Sequence, residues 1–394
     1  MNIILFDDPV LWEQLLPLTY TRPCSELRCG ILTLTEKWNY VFETPVSWNT
    51  QPYLSEKYPA NYTKDNLFIN GSLCPDPNLL RTLKDLAPGE SLKKGEVLLA
   101  TRSTSAQSPD LQLALGRAME YKHEITLIDK PWKIFKENAG EIKKDFEIIT
   151  KNRTSQKITD KHTAVYGAEN IFLEEGVSIK ASVIDAENGP IYLGKNSVIS
   201  PGSIIRGSFA LGENAQLAMG TKIRGDSTVG PHSKVGGEVG NSVVMGYSNK
   251  AHEGYLGNSV IGEWCNIGAD SNTSNMKNNY ANVKVWDYHV NRFVDTGEVF
   301  CGLIMGDHSK CGINTMFNTG TSIGVSCNIF GSGYPRNFIP SFSWGGAHGF
   351  KSYPLKGAAE VAEISMTRRN KVYDEVESRI FAHLYDFTAN QRRY

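Results

Sequence analysis

The sequence has no excess of charge of either sign and no long apolar run. Its 394 residues include 41 basic and 42 acidic side chains, so the net charge is -1 with His neutral. No block of like charges indicates a nucleic-acid or membrane surface. A run of about 18 apolar residues is absent, and the start MNIILFDDP is too acidic for a signal peptide. We therefore expect a cytoplasmic protein that binds small molecules and other subunits, with no nucleic acid and no membrane as partner.

The sequence also lacks the closely spaced cysteine pairs that are typical of disulfide-rich and zinc-binding proteins. It has seven cysteines, an odd number, and none of them forms a CxxC pair. This pattern argues against both a disulfide framework and a zinc ribbon. We expect reduced thiols and no metal site. The seven are Cys24, Cys29, Cys74, Cys265, Cys301, Cys311 and Cys327.

What the sequence does contain is an apolar residue at every sixth position. The longest unbroken series is Leu193, Ile199, Ile205, Leu211, Leu217, Ile223, Val229 and Val235. The same stride occurs earlier, around Ile171, and returns between Val299 and Ile329. A period of six fits neither a helix nor an amphipathic strand, but it does fit short strands that bend at every sixth residue and stack apolar side chains inward.

This pattern resembles the hexapeptide-repeat family. The resemblance implies a left-handed parallel β-helix with three hexapeptides per coil, which we place at residues 160–350. Members of that family commonly assemble as trimers with active sites between neighbouring subunits. The resemblance therefore also implies a homotrimer.

Two segments lie outside the repeat. Residues 276–298 have no six-residue register and form either a surface excursion or a loop that reaches a neighbouring subunit's site. In the last segment, 355–394, apolar residues three, four or eight apart predict one helix from Lys356 to about Phe387. We expect this helix to cap the solenoid or to pack between subunits.

Residues 1–155 alternate short apolar runs with longer mixed segments, which is typical of an α/β layer fold. The stretch LLPLTYTRP resembles part of the sugar-phosphate nucleotidyltransferases, and Asn70-Gly71-Ser72 stands where that family has Asn-Gly-Asp. The family binds nucleotide phosphates with a Gly-rich loop and a Lys, and the Asp helps to hold Mg²⁺.

The chain departs from that family at each of these points. FDDPVLWEQ replaces the Gly-rich loop, Cys24 replaces the Lys, and Ser72 replaces the Asp. Because phosphoryl transfer depends on positioning and on cancelling charge, we expect a degenerate domain that needs Mg²⁺ only if it is active. An alternative phosphate site would use Arg22, Arg28 and Lys37; otherwise these cations form a solvated face or contact the β-helix.

The strongest chemical signal lies between residues 250 and 275. Its spacing resembles the acetyltransferase half of the bifunctional glucosamine-1-phosphate acetyltransferase / N-acetylglucosamine-1-phosphate uridyltransferases, with His252, Tyr255, Asn266 and Asn275 on four family positions. The resemblance makes His252 the general base for attack of a sugar amine on acetyl-CoA, since an imidazole titrates near pH 7. It makes Asn266 an orienting residue in the catalytic site.

The same resemblance assigns the binding groups. Tyr255 and Asn275 would hold sugar or phosphate oxygens, and the backbone of Ala269 would meet the pantetheine of CoA. Lys222 and Arg224 stand near the family's phosphate-binding Arg pair, with Lys for the first Arg. A further family Lys is missing, and Lys250, or Lys277 and Lys284 in the insertion, could replace it.

The sequence thus predicts an acyltransferase that moves an acyl group from acyl-CoA to an amino sugar phosphate or a sugar nucleotide. Two alternatives stay open: a Mg²⁺-dependent nucleotidyltransferase that uses UTP or dTTP, and a trimeric ligand-binding scaffold without catalysis. A zinc carbonic anhydrase is disfavoured because His232, His252 and His308 are widely spread and no close His pair occurs.

Overall fold

In the computed structural model, which describes all 394 residues, the chain divides into two units. The first unit contains residues 1–15, 21–27 and 32–130. The second unit contains residues 16–20, 28–31 and 131–394. No helix in either unit has the length and apolar character needed to span a bilayer.

The first unit is built on a six-stranded mixed sheet with the order β2-β1-β3-β5-β4-β6. Its strands are β1 (Asn2–Phe6), β2 (Ser47–Asn49), β3 (Asn66–Asn70), β4 (Ser91–Lys94), β5 (Val97–Ser103) and β6 (Met119–Glu120). Its helices are α1 (Pro9–Gln14), α2 (Leu34–Phe42), α3 (Pro77–Asp85) and α4 (Leu111–Gly116), with 3₁₀ turns at Cys24–Glu26 and Pro52–Leu54. Strand β1 pairs in parallel with both neighbours, and β3 pairs antiparallel with β5.

The second unit is a parallel β-helix with three faces. The first face contains Ala164–Tyr166, Val183–Asp185, Ile204–Arg206, Lys222–Ile223, Glu238–Gly240, Tyr255–Gly257, Asn272–Thr273 and Met316–Phe317. The second contains Ile171–Leu173, Ile191–Leu193, Phe209–Leu211, Ser227–Val229, Val243–Gly246, Val260–Glu263, Leu303–Met305, Thr321–Ile323 and Phe338–Ile339. The third contains Ser178–Ile179, Val198–Ile199, Gln216–Leu217, Lys234–Val235, Asn249–Lys250, Asn266–Ile267, Lys310–Cys311, Asn328–Ile329, Ser343–Gly346 and Gly349–Ser352.

The residues of the six-residue series form the interior of this β-helix, as predicted. All eight residues from Leu193 to Val235 in that series are at most 2% exposed and belong to one core cluster. Stacking along each face brings equivalent positions of successive coils into register, for example Leu193 with Leu211 and Val229. The inward side chains therefore form a continuous apolar column.

Helix α5 (Pro131–Thr150) precedes the β-helix and belongs to the second unit. It packs against strands of the second face. Its Asn138 accepts a hydrogen bond from the backbone N of Gly30 at 2.8 Å and donates one to the hydroxyl of Thr228 at 3.1 Å. The helix therefore covers the second face through a buried polar contact as well as apolar side chains. A 3₁₀ turn at Ala168–Asn170 follows in the first coil.

The insertion at 276–298 contains an antiparallel hairpin of Lys284–Asp287 and Arg292–Asp295. Its Trp286 ring stacks on Phe338 of the second face, with ring centroids 4.2 Å apart. The insertion is thus an ordered element attached to the β-helix by aromatic packing.

The C-terminal segment forms two helices, which corrects the prediction of one. Helix α6 (Leu355–Thr367) ends before a turn in which Asn370 has a φ of 56°. Asp374 then begins α7 (Glu375–Phe387) by accepting a hydrogen bond from the backbone N of Glu377 at 2.9 Å. A left-handed residue followed by a capping Asp interrupts an amphipathic pattern without changing its apolar spacing. A 3₁₀ turn at Ala389–Gln391 follows.

The predicted fold class is confirmed in its architecture. An α/β sheet comes first, a parallel β-helix with the six-residue repeat follows, and helices end the chain.

Candidate active site

His252 lies at a corner of the β-helix, between the third-face strand Asn249–Lys250 and the first-face strand Tyr255–Gly257. Its side chain is exposed. Its neighbour Glu253 lies 3.9 Å from the Nζ of Lys222, which is two coils earlier on the first face. An exposed imidazole beside a mixed-charge pair is accessible to a substrate.

A cavity of about 440 Å³, which we call the tyrosine cavity, opens on the first face. Arg224, Tyr255, Asn258 and Asn275 line it. The Nδ2 of Asn275 donates to the Oη of Tyr255 at 3.0 Å and to the Oδ1 of Asn258 at 2.8 Å. Burial raises the pKa of Tyr255, so its phenol stays neutral near pH 7 and keeps a proton to donate. The structure therefore brings two predicted residues, Tyr255 and Asn275, into one polar cluster.

The tyrosine cavity also contains charges of both signs. The guanidinium of Arg224 lines it and lies 3.2 Å from the Oε1 of Glu238, and the carboxyl residue Asp226 lines it as well. A cation beside a carboxylate matches a ligand that carries both a phosphate and an ammonium group.

Asn266 lies on the third face, away from this cluster. Its Oδ1 accepts a hydrogen bond from the Nδ2 of Asn249 at 2.8 Å. It lines a different cavity of about 400 Å³, the asparagine cavity, together with Trp264, Lys310 and Arg368. Within one chain, Asn266 and Tyr255 therefore do not share a cavity.

Ala269 lies at the next corner after Asn266, and its carbonyl accepts a hydrogen bond from the backbone N of Asn314 at 2.8 Å. Ala269 is half-buried. The carbonyl is therefore engaged within the β-helix.

Lys250, which the sequence predicts as a binding residue at the surface, is buried in the structure. It occupies an inward position on the third face, in register with Val235, and is 4% exposed. Its Nζ donates to the carbonyls of Gly236 at 2.9 Å and His252 at 3.0 Å. Burial lowers its pKa to about 8. The lysine is thus tied to the backbone of His252 instead of lying on the surface.

In the first unit, Asp7 and Asp8 belong to the segment that replaces the Gly-rich loop, and both accept hydrogen bonds from backbone N atoms of the chain. The Oδ1 of Asp8 accepts hydrogen bonds from the backbone N atoms of Val10 and Leu11 at 2.9 and 3.1 Å, which caps α1. Asp7 accepts from the backbone N of Cys24 at 2.8 Å. It also accepts from the hydroxyl of Thr50 at 2.5 Å. Burial raises the pKa of Asp7 to about 6. The backbone donors at the start of α1 are therefore already satisfied.

The three candidate phosphate-binding cations are all buried. Arg22, Arg28 and Lys37 are 5%, 7% and 3% exposed. Arg22 and Lys37 belong to the first unit. Arg28 belongs to the second, where its Nε donates to the carbonyl of Met245 at 3.3 Å. Arg28 thus contacts the β-helix, as one of the three interpretations of these cations predicts.

Sequence reasoning missed the partners of the predicted asparagines. Asn258 contacts Asn275, and Asn249 contacts Asn266, each across 17 residues. A separation of one coil brings outward side chains of successive strands together, so that spacing was the available signal.

Residues 3–154 match the family model described as sugar nucleotidyl transferase. The chain is 36% identical over 92 residues to the bifunctional protein GlmU of Methanocaldococcus jannaschii, covering 23% of this chain and 22% of that protein. It is 33% identical over 93 residues to a bifunctional sugar-1-phosphate nucleotidylyltransferase/acetyltransferase of Sulfurisphaera tokodaii, covering 24% of this chain and 23% of that protein. The matched segments thus span under a quarter of these relatives, and they confirm the predicted resemblance.

Two solved structures match part of the chain at low similarity. The polySia-specific acetyltransferase NeuO is 15% identical with a TM-score of 0.25, over 48% of this chain and 85% of that one. An Arabidopsis UDP-N-acetylglucosamine acyltransferase is 15% identical with a TM-score of 0.26, over 59% of this chain and 93% of that one.

Proposed function

We propose that the protein is a cytoplasmic, homotrimeric acyltransferase that uses acyl-CoA, with acetyl-CoA as the simplest donor. Its acceptor is the amine of an amino sugar phosphate or of a nucleotide sugar. The observation that carries the proposal is the hydrogen-bonded Tyr255–Asn275 pair beside Arg224, with Tyr255 in the coil that begins at exposed His252. The match to bifunctional sugar-1-phosphate nucleotidylyltransferase/acetyltransferases supports the same class.

In the proposed reaction, His252 takes a proton from the sugar amine as its nitrogen attacks the thioester carbonyl. A C–N bond forms, the C–S bond breaks, and the proton passes from the imidazole to the departing thiolate. Arg224 binds the phosphate, and the neutral Tyr255 phenol donates to a sugar or phosphate oxygen. The bond from Lys250 to the carbonyl of His252 makes Lys250 a positioning residue for this corner.

In the trimer that we propose, residues that are apart in one chain would meet across two copies. Tyr255 lies on the first face, and Asn275 comes shortly after a strand of that face. Asn266 lies on the third face, and Ala269 comes shortly after its strand. Packing the first face of one copy against the third face of the next would bring the two sets together. The site proposed here is therefore completed by a neighbouring copy.

For the first unit, we propose a degenerate nucleotidyltransferase domain that binds a ligand or supports assembly. Asp8 caps α1, and Asp7 holds Cys24 and Thr50, so a triphosphate would have to displace two carboxylates of the chain. Because the match over 3–154 favours nucleotidyl transfer as the second candidate, Mg²⁺-dependent pyrophosphate release from UTP or dTTP plus a sugar 1-phosphate is its test. Release by the wild type would make this domain catalytic.

A thiol-release assay with acetyl-CoA and glucosamine 1-phosphate tests the acyltransferase. His252→Ala should lower the rate by about 10²- to 10⁴-fold, the usual contribution of a positioned general base. His162→Ala removes another exposed imidazole, outside the motif, and should leave the rate unchanged. Equal rates for all three proteins would remove His252 from the mechanism.

A further inference from the structure

The insertion at 276–298 contributes to a cavity of about 600 Å³. We call it the insertion cavity. Hairpin residues and second-face residues line it together. The lining residues used below are Lys277, Lys284, Trp286, Phe293, Arg336 and Phe338.

The insertion cavity has cations and no carboxylate in its lining. Lys277, Lys284 and Arg336 contribute three positive groups. Lys277 donates from Nζ to a carbonyl of the insertion at 2.7 Å, which holds it near the cavity wall. The guanidinium of Arg336 lies 5.6 and 5.8 Å from the ring centres of Phe350 and Tyr394, which fixes its position.

Other charges near these cations are few. Asp295 stands opposite Lys284 in the hairpin register, and no ion pair within 4.0 Å joins them. Three cations with so little local compensation attract an anion, and a phosphate with two or three charges fits them better than a carboxylate.

An aromatic wall completes the insertion cavity. The Trp286 ring stacks on Phe338 at an interplanar angle of 12°, and Phe293 meets Trp286 edge-on at 5.3 Å. Phe293 is 41% exposed. The Nε1 of Trp286 is a buried donor with no acceptor in the protein.

We infer that the insertion cavity binds a nucleotide-type ligand. The ligand places its phosphates on Lys277, Lys284 and Arg336 and its planar base against the aromatic wall. Stacking on aromatic side chains combined with cations is a general way to hold nucleotides. No residue of this cavity belongs to the His252 cluster.

The insertion cavity adjoins the tyrosine cavity. Asn275 lines the tyrosine cavity and Lys277 lines the insertion cavity, two residues further along the chain. Assigning such a nucleotide to a substrate of acyl transfer rests on the proposed function. Both the adenine nucleotide end of CoA and the uridine diphosphate of a sugar nucleotide have the required chemistry.

Isothermal titration of the full-length protein tests this inference, with adenosine 3′,5′-bisphosphate and UDP as separate probes. We expect one of them to bind more tightly than either pyrophosphate or the free nucleoside. Preference for the bisphosphate would identify the donor's nucleotide end, and preference for UDP that of the acceptor. Because no acyl donor is present, binding can succeed even where acyl transfer fails. Binding of neither probe would overturn the inference.

Two variants and one control locate the ligand. Lys284→Glu should weaken binding by about tenfold or more, since it replaces a charge-assisted contact with repulsion. Lys180→Glu makes the same charge change at an exposed position elsewhere on the β-helix and should bind as the wild type does. Phe293→Leu removes an exposed ring of the aromatic wall, and we expect weaker binding at an unchanged thermal unfolding temperature. Equal loss in Lys284→Glu and Lys180→Glu would mean unspecific charge attraction and would overturn the assignment.

Discussion

At the scale of single residues, Lys250 shows where sequence reasoning stops. Its identity and its place in the motif indicate a surface cation. Lys250 follows its register partner Val235 by 15 residues, which is shorter than a coil of three hexapeptides. The inward position of this coil is therefore occupied by a lysine. The six-residue period alone cannot place a charge inside an apolar column, because it assumes coils of constant length.

A Lys250→Met variant tests this buried lysine. Desolvation lowers the pKa of Lys250 from 10.5 to about 8. The unfolded chain therefore binds more protons than the folded one between about pH 8 and 10.5, so the wild type gains stability as pH rises through that window. Met fills the same column without a charge, so we expect the variant to be more stable than the wild type at pH 7. Denaturant unfolding should show this difference shrinking above pH 8.

The activity of the same variant separates positioning from folding. Losing the bond to the carbonyl of His252 should lower kcat while the KM for acyl-CoA changes little. A variant with wild-type kcat would show that the corner keeps His252 in place without Lys250.

Asp7 gives a second pH-dependent prediction at the residue scale. Burial raises its pKa from 3.8 to about 6, so the folded chain holds a proton that the unfolded chain loses between about pH 4 and 6. Stability from this group is therefore present at low pH and is lost as pH rises through about 6. Asp7→Asn should stabilise the protein at pH 7, and chemical unfolding at pH 4 should show little difference. A variant less stable than the wild type at pH 7 would contradict the burial argument.

At the scale of elements, the sequence predicts the β-helix well and its attachments less well. Apolar spacing alone places Leu217 and Ile223 inside, where the structure has them. Apolar spacing alone also predicts one helix where the structure has α6 and α7. The spacing does not reveal that Asn370 adopts a left-handed conformation or that Asp374 caps a new helix. The cavities depend on side chains from several coils, so the tyrosine cavity could be predicted only through the family resemblance.

The apolar column carries a stability prediction. Leu217→Ala removes a side chain that is 0% exposed, and we expect a loss of about 2–5 kcal/mol in the free energy of unfolding. Met219→Ala, two residues later and 76% exposed, is the matched control and should cost under about 1 kcal/mol. Urea unfolding followed by circular dichroism measures both. Similar losses in the two variants would contradict the inward column.

At the scale of the whole molecule, the proposed trimer makes the active site a shared one. Tyr255 would come from the first face of one copy and Asn266 from the third face of the next. A trimer of Tyr255→Ala chains and a trimer of Asn266→Ala chains would each have only defective sites.

Mixing the two variant chains tests this sharing. Some sites in mixed trimers would combine an intact Tyr255 with an intact Asn266 from a neighbour, so we expect refolded mixtures to recover activity above either parent. Light scattering should give three chains of 43.7 kDa in each sample. No recovery in mixtures of confirmed trimers would place both residues of each site in one chain.

The central claim is that His252 is the base of an acyl transfer. The most direct measurement is chemical rescue: thiol release from acetyl-CoA by His252→Ala, with glucosamine 1-phosphate as acceptor, in the presence and absence of free imidazole. We predict that the variant loses about 10²-fold or more in rate and that imidazole restores part of the loss in proportion to its neutral form. A variant that releases thiol at the wild-type rate without imidazole would contradict the account.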